Sequence, residues 1–152
     1  MEIDTPIGKL GIKINNGKLT DIEWVQDFGV QDFEPLQENC ALQNNVSKQL
    51  QQYFINPRHK FNLPLDPEGT KFQKRVWQAL CDIPPGATKT YGKLAKQLNT
   101  SPRAIGNACR KNPIPIVIPC HRVVAKNSLG GFGGERQGKL IAIKGWLLNH
   151  EA

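Results

Sequence analysis

The stretch PIVIPCHRVV, residues 115–124, places a cysteine directly before a histidine and an arginine at the end of an apolar run. A cysteine thiolate is the strongest side-chain nucleophile near neutral pH, and a nearby base or positive charge increases its population. Cys120 and His121 are therefore candidates for a nucleophile and its base. A lone Cys-His dipeptide is more often structural, so the pair needs support from the rest of the chain.

The adjacency of the two residues restricts how they can react. Neighbouring residues in an extended strand point to opposite faces, so Cys120 and His121 cannot touch if this segment is a regular strand. Either the chain turns here, as Pro119 permits, or a water carries a proton between them. A histidine that acts as a base also needs a third group to fix its tautomer. The carboxylates of residues 70–152 are Asp82, Glu135 and Glu151.

Charge is distributed unevenly along the chain. Residues 1–69 hold six Lys/Arg and ten Asp/Glu, a net charge of −4, whereas residues 70–152 hold fourteen Lys/Arg and three Asp/Glu, a net charge of +11. Between residues 83 and 134 there is no acidic residue, while eight are basic. Such a one-sided stretch predicts a polyanionic partner, and nucleic acid in particular, with a simple solubility bias as the alternative.

Length and composition restrict the class of protein. The 152 residues suffice for one domain or two small subdomains, and 39% hydrophobic residues allow a core. No apolar run approaches the ~20 residues of a membrane helix, and we expect no secretory signal, because the first residues include no long apolar stretch. Four cysteines without a CxxC pair indicate reduced thiols, of which Cys81 and Cys109 are expected to be small buried side chains. We therefore expect a cytoplasmic, monomeric protein without a membrane partner, nucleoid-associated if bacterial.

The acidic first part predicts a small sheet followed by a helix. KLGIKI and LTDIEWV alternate as strands do, and the Asn16-Gly17 pair between them is a strong hairpin signal. An apolar stripe at helical spacing predicts a helix over 46–54. A proline-rich connector follows, and we place the subdomain boundary between residues 66 and 67.

The basic second part is predicted to be mainly helical. Thr70 is suited to cap a helix over 71–83, and two short helices joined by NTSP, with Ser101 as N-cap of the second, predict a helix-turn-helix. Small residues on that second helix suit contact with a sugar–phosphate backbone better than base reading, so little sequence preference is expected. An ordinary helix pair in a core is the alternative. A last helix is predicted over about 139–150, and its inner face would consist of Leu140, Ile143, Leu147 and Leu148.

Five stretches occur in order over residues 69–151, namely GTKFQKRVWQAL, IPPGATKTYGKLA, RAIGNACRKNPIPIVIPCHRVV, GGFGG and WLLNHE. Together they resemble the O6-alkylguanine-DNA alkyltransferases, also called methylated-DNA–protein-cysteine methyltransferases. The resemblance implies an α+β fold. A small ribonuclease H-like α/β subdomain, an antiparallel sheet plus a helix in residues 1–66, would pack on a mainly helical domain with a helix-turn-helix in residues 67–152, which binds DNA and transfers the alkyl group.

The resemblance implies a role in the reaction for each of five residues. Cys120 would accept the alkyl group, His121 would act through a water as the base that generates the thiolate, and Glu151 would orient His121. Tyr91 would contact a phosphate during nucleotide rotation and donate a proton to the leaving guanine. Asn112 would brace the turn that shapes the Cys120 loop.

The resemblance also implies how DNA binds. Arg103 would fill the gap in a duplex whose nucleotide is flipped out through the minor groove. The implied DNA contacts are those of Ser101, Arg103, Ala104 and Tyr91. The implied pocket for the flipped base consists of Val123, Phe132 and Gly133. The backbone carbonyls of Cys120 and Val123 would accept hydrogen bonds from the guanine amino group.

The implied activity is irreversible transfer of one alkyl group per protein molecule from O6-alkylguanine, and also O4-alkylthymine, in double-stranded DNA. No metal and no organic cofactor is implied. The chain departs from the family at Phe132, where a tyrosine is frequent, and in a longer segment after GGFGG. Three alternatives are a non-catalytic alkyltransferase-like protein, a helix-turn-helix regulator and a Cys-His hydrolase. The first would lack Cys120, the second leaves PCHRV unexplained, and the third requires repeated turnover.

Overall fold

A computed structural model describes residues 1–25, 41–132 and 138–152 of the chain. The chain divides into two compact units, Met1–Glu68 and Gly69–Ala152. The division falls close to the boundary predicted between residues 66 and 67. As predicted, the fold is of the α+β class, with an antiparallel sheet in the first unit and mainly helices in the second.

The first unit contains a three-stranded antiparallel sheet in the order β1-β2-β3, formed by β1 (Glu2–Thr5), β2 (Gly8–Asn15) and β3 (Lys18–Trp24). Between β2 and β3, Asn16 and Gly17 have φ angles of 51° and 73°. A two-residue hairpin turn whose twist matches the strands needs positive φ at both positions, which Asn and Gly tolerate best. The predicted hairpin is thereby confirmed.

Helix α1 (Ala41–Ile55) completes the described part of the first unit. It begins five residues before the predicted residue 46, and Leu42, four residues before Val46, extends the same apolar stripe into its first turn. Gln49 is buried on this helix, where its side chain donates to the Asn62 carbonyl (2.9 Å) and accepts from the Asn62 N–H (2.8 Å). The Gln49 amide thus satisfies the backbone N–H and C=O of Asn62, as a neighbouring strand would, and holds the connector after the helix in place.

The second unit contains helices α2 (Lys71–Cys81), α3 (Tyr91–Gln97), α4 (Pro102–Arg110) and α5 (Lys139–Glu151), with a short parallel strand pair, β4 (Lys89–Thr90) and β5 (Val123–Val124). The predicted caps are confirmed. The Thr70 hydroxyl accepts from the Gln73 N–H (3.1 Å), and the Gln73 side-chain oxygen accepts from the Thr70 N–H. The Ser101 hydroxyl accepts from the Ala104 N–H (3.1 Å). These bonds satisfy N–H groups that the helix itself leaves without partners.

A buried hydrogen bond joins helix α4 to helix α2. The Trp77 indole Nε1 donates to the Ala108 carbonyl at 2.9 Å, and Trp77 is only 2% exposed. The expectation that Cys81 is buried is wrong, because it lies at the end of α2 and is exposed. No helix of the described residues is both long enough and apolar enough to cross a bilayer.

Candidate active site

The backbone before Cys120 makes two consecutive tight turns instead of a strand. The Val117 N–H donates to the Pro115 carbonyl (2.9 Å), and the Cys120 N–H donates to the Ile118 carbonyl (2.8 Å). Hydrogen bonds between residues two apart define γ-turns. The chain therefore turns at Cys120, which was the first of the two routes by which the cysteine and its neighbour could cooperate.

The first of these turns holds a strained residue at its centre. Ile116 has a φ of 74°, which a β-branched side chain rarely adopts and which costs of order 1–3 kcal/mol. The second turn is centred on Pro119, whose φ of −83° and ψ of 66° are the relaxed values for a γ-turn. Ile116 is 1% exposed, so burial of its side chain offsets the strain.

Asn112 ties both ends of this loop together. Its Nδ2 donates to the Ile118 carbonyl (2.8 Å), and its Oδ1 accepts from the Ile114 N–H (3.0 Å). One amide thus satisfies a donor and an acceptor that the irregular backbone cannot pair by itself. The bracing contact expected of Asn112 is present.

Residues Cys120–Arg122 form one turn of 3₁₀ helix, which directs successive side chains to different surroundings. Cys120 lines an open cleft, whereas His121 is 0% exposed and Arg122 is buried. Behind the turn, His121 Nε2 lies 2.7 Å from Glu151 Oε2 on α5. Of the carboxylates considered from the sequence, Asp82 and Glu151 lie in the described residues, and Glu151 is the one of these two that bonds the imidazole. Glu135 lies outside the described residues.

Arg122 holds the same carboxylate from the other side. Its Nε donates to Glu151 Oε1 (2.8 Å) and its NH2 to Glu151 Oε2 (3.0 Å), while NH1 donates to the Ile83 carbonyl (2.7 Å). A guanidinium that binds both oxygens fixes the plane of the carboxylate. Glu151 is therefore held in one orientation toward His121.

Burial sets the protonation states of the Cys-His pair. It lowers the pKa of His121, although the hydrogen bond to Glu151 acts in the opposite direction. It raises the pKa of the Cys120 thiol, although the Asn112 amide and the Lys144 charge oppose this. The resting site therefore contains a thiol and a neutral imidazole. Because Nε2–H donates to Glu151, Nδ1 is the unprotonated nitrogen, and it has no hydrogen-bond partner among the described residues.

Tyr91 is the first residue of α3. Its ring packs beside Gly130 and Gly131, which together form the glycine segment after the Cys120 loop. Its hydroxyl donates to the Gly131 carbonyl at 3.3 Å. Gly130 has a φ of 74°, and a Cβ at that position would lie 2.8 Å from the Tyr91 ring, so only glycine fits there. Burial raises the pKa of Tyr91 to about 12. Its hydroxyl is therefore a hydrogen-bond donor throughout the neutral range.

The cleft in front of Cys120 has a volume of about 980 Å³. Helix α4 forms one side of it, and the segment from Ala125 to Phe132 forms the other. Three polar side chains of α4 that line it, Arg103, Asn107 and Arg110, are exposed. Spaced at i, i+4 and i+7, they share one helix face.

The structure brings most of the predicted site residues together. Cys120, Tyr91, Arg103 and Phe132 line the cleft. Ser101 caps α4, and neither Ser101 nor Ala104 lines the cleft. Val123 is fully buried, and its carbonyl accepts from Lys144. Gly133 lies outside the described residues.

Sequence reasoning missed four residues of this site, Arg122, Lys144, Asn107 and Arg110. The helical spacing of Arg103, Asn107 and Arg110 was a detectable signal, and it weakens the expectation that α4 carries no side chains suited to base edges. Arg122 and Lys144 gave no local signal, because charged residues in a basic chain are normally exposed. Among the described residues, no cluster of three His, Cys, Asp or Glu side chains is arranged to hold a metal.

Comparison with known proteins matches both parts of the chain. The family model described as "6-O-methylguanine DNA methyltransferase, DNA binding domain" matches residues 71–152, and "6-O-methylguanine DNA methyltransferase, ribonuclease-like domain" matches residues 2–67. The methylated-DNA–protein-cysteine methyltransferase of Mycobacterium leprae is 41% identical over 93% of this chain and 88% of its own length. The constitutive enzyme of the same name from Bacillus subtilis is 39% identical over 97% and 92%.

Solved structures agree with these matches. The crystal structure of Mycobacterium tuberculosis OGT in complex with DNA has a TM-score of 0.82 and 35% identity, over 99% of this chain and 90% of that one. Fold and sequence define a DNA-repair protein that works by alkyl transfer. Within that class, the chain belongs to the methylated-DNA–protein-cysteine methyltransferase family.

Proposed function

We propose that Cys120 accepts the alkyl group from O6-alkylguanine in double-stranded DNA, once per protein molecule. The observation that carries this proposal is the division of roles within one turn. Cys120 faces the open cleft, while His121 is buried behind it with Nε2 bound to Glu151 and Nδ1 unused by the described residues. Cys120 as nucleophile, His121 as base and Glu151 as orienting carboxylate then form the chain of contacts by which a thiol is activated.

The proposed reaction moves one proton and one alkyl group. The thiol proton passes through a water to His121 Nδ1, and the sulfur attacks the alkyl carbon. A sulfur–carbon bond forms as the carbon–O6 bond breaks, and guanine leaves with the bonding electron pair and takes up a proton. The thioether formed on Cys120 is stable in neutral water, so each protein molecule reacts only once.

Tyr91 assists the leaving group in this proposal. Its hydroxyl donates to the Gly131 carbonyl at 3.3 Å, a long and weak hydrogen bond. Exchange of that bond for one to the guanine ring would place a donor where negative charge develops, which lowers the barrier. With a pKa of about 12, the Tyr91 hydroxyl stays protonated until negative charge develops on the leaving guanine.

The basic face of α4 is the proposed DNA-binding surface. Arg103, Asn107 and Arg110 are exposed along the cleft that ends at Cys120, and α4 is the second helix of the helix-turn-helix. We propose that it enters the minor groove and that the lesion nucleotide is flipped into the cleft, with Arg103 filling the vacated space. Ser101 and Ala104, in the first turn of α4, would approach the phosphate backbone.

The role of Arg103 predicts a difference between two substrates. Arg103→Ala is expected to slow repair of an alkylated duplex by about 10-fold or more, because base flipping loses its gap-filling side chain. Attack on a free-base O6-alkylguanine analogue needs no flipping and is expected to be unchanged within about twofold. Rate constants for both substrates check this, and equal losses would contradict the role.

Phe132 and Val123 are the proposed base pocket. Phe132 lines the cleft and is 5% exposed, which provides an apolar wall. The Val123 carbonyl already accepts from Lys144, but its second lone pair can accept from the guanine amino group. Thymine carries no such amino group, so O4-alkylthymine is proposed as a slower substrate.

Mass spectrometry tests the proposal directly. The protein is incubated with an O6-methylguanine duplex, and its intact and peptide masses are measured. We expect one added methyl group on Cys120 and none in Cys120→Ala, which should still bind the duplex. A parallel O4-methylthymine duplex should give the same product more slowly. More than one turnover per protein molecule would support a hydrolase instead, and methylation at another residue would contradict the assignment of Cys120.

A further inference from the structure

Lys144 is a buried cation that the proposed reaction does not use. It lies on the inner face of α5 and is 0% exposed. Its Nζ donates to the Val123 carbonyl (2.7 Å) and to the Gly131 carbonyl (2.9 Å). The ammonium thereby joins the backbone just after the Cys120 turn to the glycine segment that holds the Tyr91 hydroxyl.

No carboxylate forms an ion pair with Lys144 among the described residues, because the buried Glu151 is bound to His121 and Arg122. Burial of a charge without a counter-charge is costly, and such groups normally pair or lose their charge. Burial lowers the pKa of Lys144 to about 8. The ammonium form therefore still prevails near neutral pH, where it bonds two carbonyls and lies 5.8 Å from the centroid of the Tyr91 ring.

The anion that Lys144 lacks at rest is the one the reaction creates. The positive charge of Lys144 lowers the pKa of the Cys120 thiol, and the Cys120 anion in turn raises the pKa of Lys144. Lys144 Nζ bonds the carbonyl of Val123, three residues after Cys120, and lies 5.8 Å from the ring centroid of Tyr91, which lines the same cleft as Cys120. This placement allows the two groups to interact through charge, while the neighbouring imidazole serves as the base. A preformed charge facing a developing one stabilises it without reorganisation.

The geometry points to Lys144 as the counter-charge of the Cys120 thiolate, held in place by the Val123 and Gly131 carbonyls. The inference rests on the proposed function, since it assigns the thiolate to the reacting state. Lys144 acts on the sulfur through its charge and contacts no substrate, so it is a positioning residue. The same two hydrogen bonds tie the backbone at Val123 to the backbone at Gly131.

Other ionisable groups face this pair and must be separated from the effect. They are His121 and Arg122 from the Cys120 turn, Tyr91 from α3, Cys109 from α4 and Glu151 from α5. Burial raises the pKa of both Tyr91 and Cys109, so neither supplies a negative charge near neutral pH. Lys144 is then the cation to remove in a test of the thiolate.

The test measures the ionisation of Cys120 without DNA. Iodoacetamide alkylation of Cys120 is followed by peptide mass spectrometry as a function of pH in the wild type, Lys144→Met and Lys144→Arg. In Lys144→Met we expect a loss of about 10-fold in rate near neutral pH, where Lys144 of the wild type is charged, and little change above the pKa of Lys144. Lys144→Arg keeps the charge and should stay near the wild type. Lys139→Met, an exposed lysine of the same helix, is the matched control and should leave the profile unchanged.

Each outcome decides the inference. An unchanged rate near neutral pH in Lys144→Met, or an equal loss in Lys144→Arg, would overturn it and leave Lys144 a purely structural residue. If Lys144→Met does not fold, the wild-type profile gives the answer, because Lys144 loses its charge with a pKa of about 8 while Cys120 is still a thiol. The logarithm of the alkylation rate should then rise with unit slope up to about pH 8 and more slowly just above it, and an unbroken unit slope through pH 8 would contradict the inference. Failure of the proposed DNA reaction would show instead as an absent methyl group with a normal iodoacetamide profile.

Discussion

Glu151→Gln is expected to slow alkyl transfer to Cys120 by roughly 10²–10⁴-fold, the range over which a positioned general base contributes. The amide has no negative charge, so the imidazolium that forms when His121 takes the thiol proton loses its stabilising partner. The pKa of His121 is already lowered by burial, and the Glu151 carboxylate is the group that raises it. Its removal makes the base weaker still.

The measurement is the single-turnover rate constant for an alkylated duplex and for a free-base analogue. Both should fall together, because the lost step is proton transfer and not DNA binding. Asp82→Asn is the matched control, since it removes a second carboxylate of the same unit that is exposed at the end of α2. A Glu151→Gln variant that reacts at the wild-type rate would exclude Glu151 from the proton path.

Arg122→Met is expected to lower the free energy of unfolding by about 3–5 kcal/mol, which is the cost of leaving a buried charge without its partner. Arg122 is 6% exposed and Glu151 is 1% exposed, so water cannot replace the two guanidinium hydrogen bonds. The Ile83 carbonyl would also lose its donor. Urea titration followed by tryptophan fluorescence gives the change in free energy.

Two further variants distinguish this cause from a simple packing defect. Arg122→Met combined with Glu151→Gln should cost less than the sum of the single changes, because no charge then remains unpaired. Arg110→Met, which removes an exposed arginine of the same unit, should change stability by no more than about 0.5 kcal/mol. Additive losses in the double variant would show that the ion pair is not what Arg122 contributes.

Local rules sufficed for most of the helical framework and for one hairpin. Thr70 and Ser101 cap helices because their side chains reach N–H groups only three residues away, and Asn16-Gly17 forms the turn for equally local reasons. The start of α1 was predicted five residues too late, because the apolar series of Val46, Leu50 and Phe54 was not extended back to Leu42. The burial of Cys81 was wrongly predicted, since residue type alone does not tell which face of a helix end is covered.

The site was predicted in its residue types more than in its surroundings. Cys120, His121 and Glu151 were expected from the resemblance; the structure places His121 Nε2 beside the Glu151 carboxylate, and their roles in the reaction stay predictions. The γ-turn with positive φ at Ile116 was not predicted, because a β-branched residue rarely adopts that conformation and an apolar run suggests extended backbone. The resemblance implied that Asn112 braces this loop, but the two backbone groups that its amide bonds could not be identified from the sequence.

By itself, the sequence determined a basic DNA-repair domain with one candidate nucleophile, because charge asymmetry, caps and motif order are properties of neighbouring residues. Only the tertiary structure decided that Arg122 and Lys144 are buried around that nucleophile. Their partners lie 29 and 21 residues away along the chain. On α5, Lys144 and Glu151 occupy the inner face with Ile143 and Leu147, where an apolar pattern predicts leucines. A charged side chain is buried only where hydrogen-bond or charge partners compensate its lost hydration, and the fold determines where those partners lie.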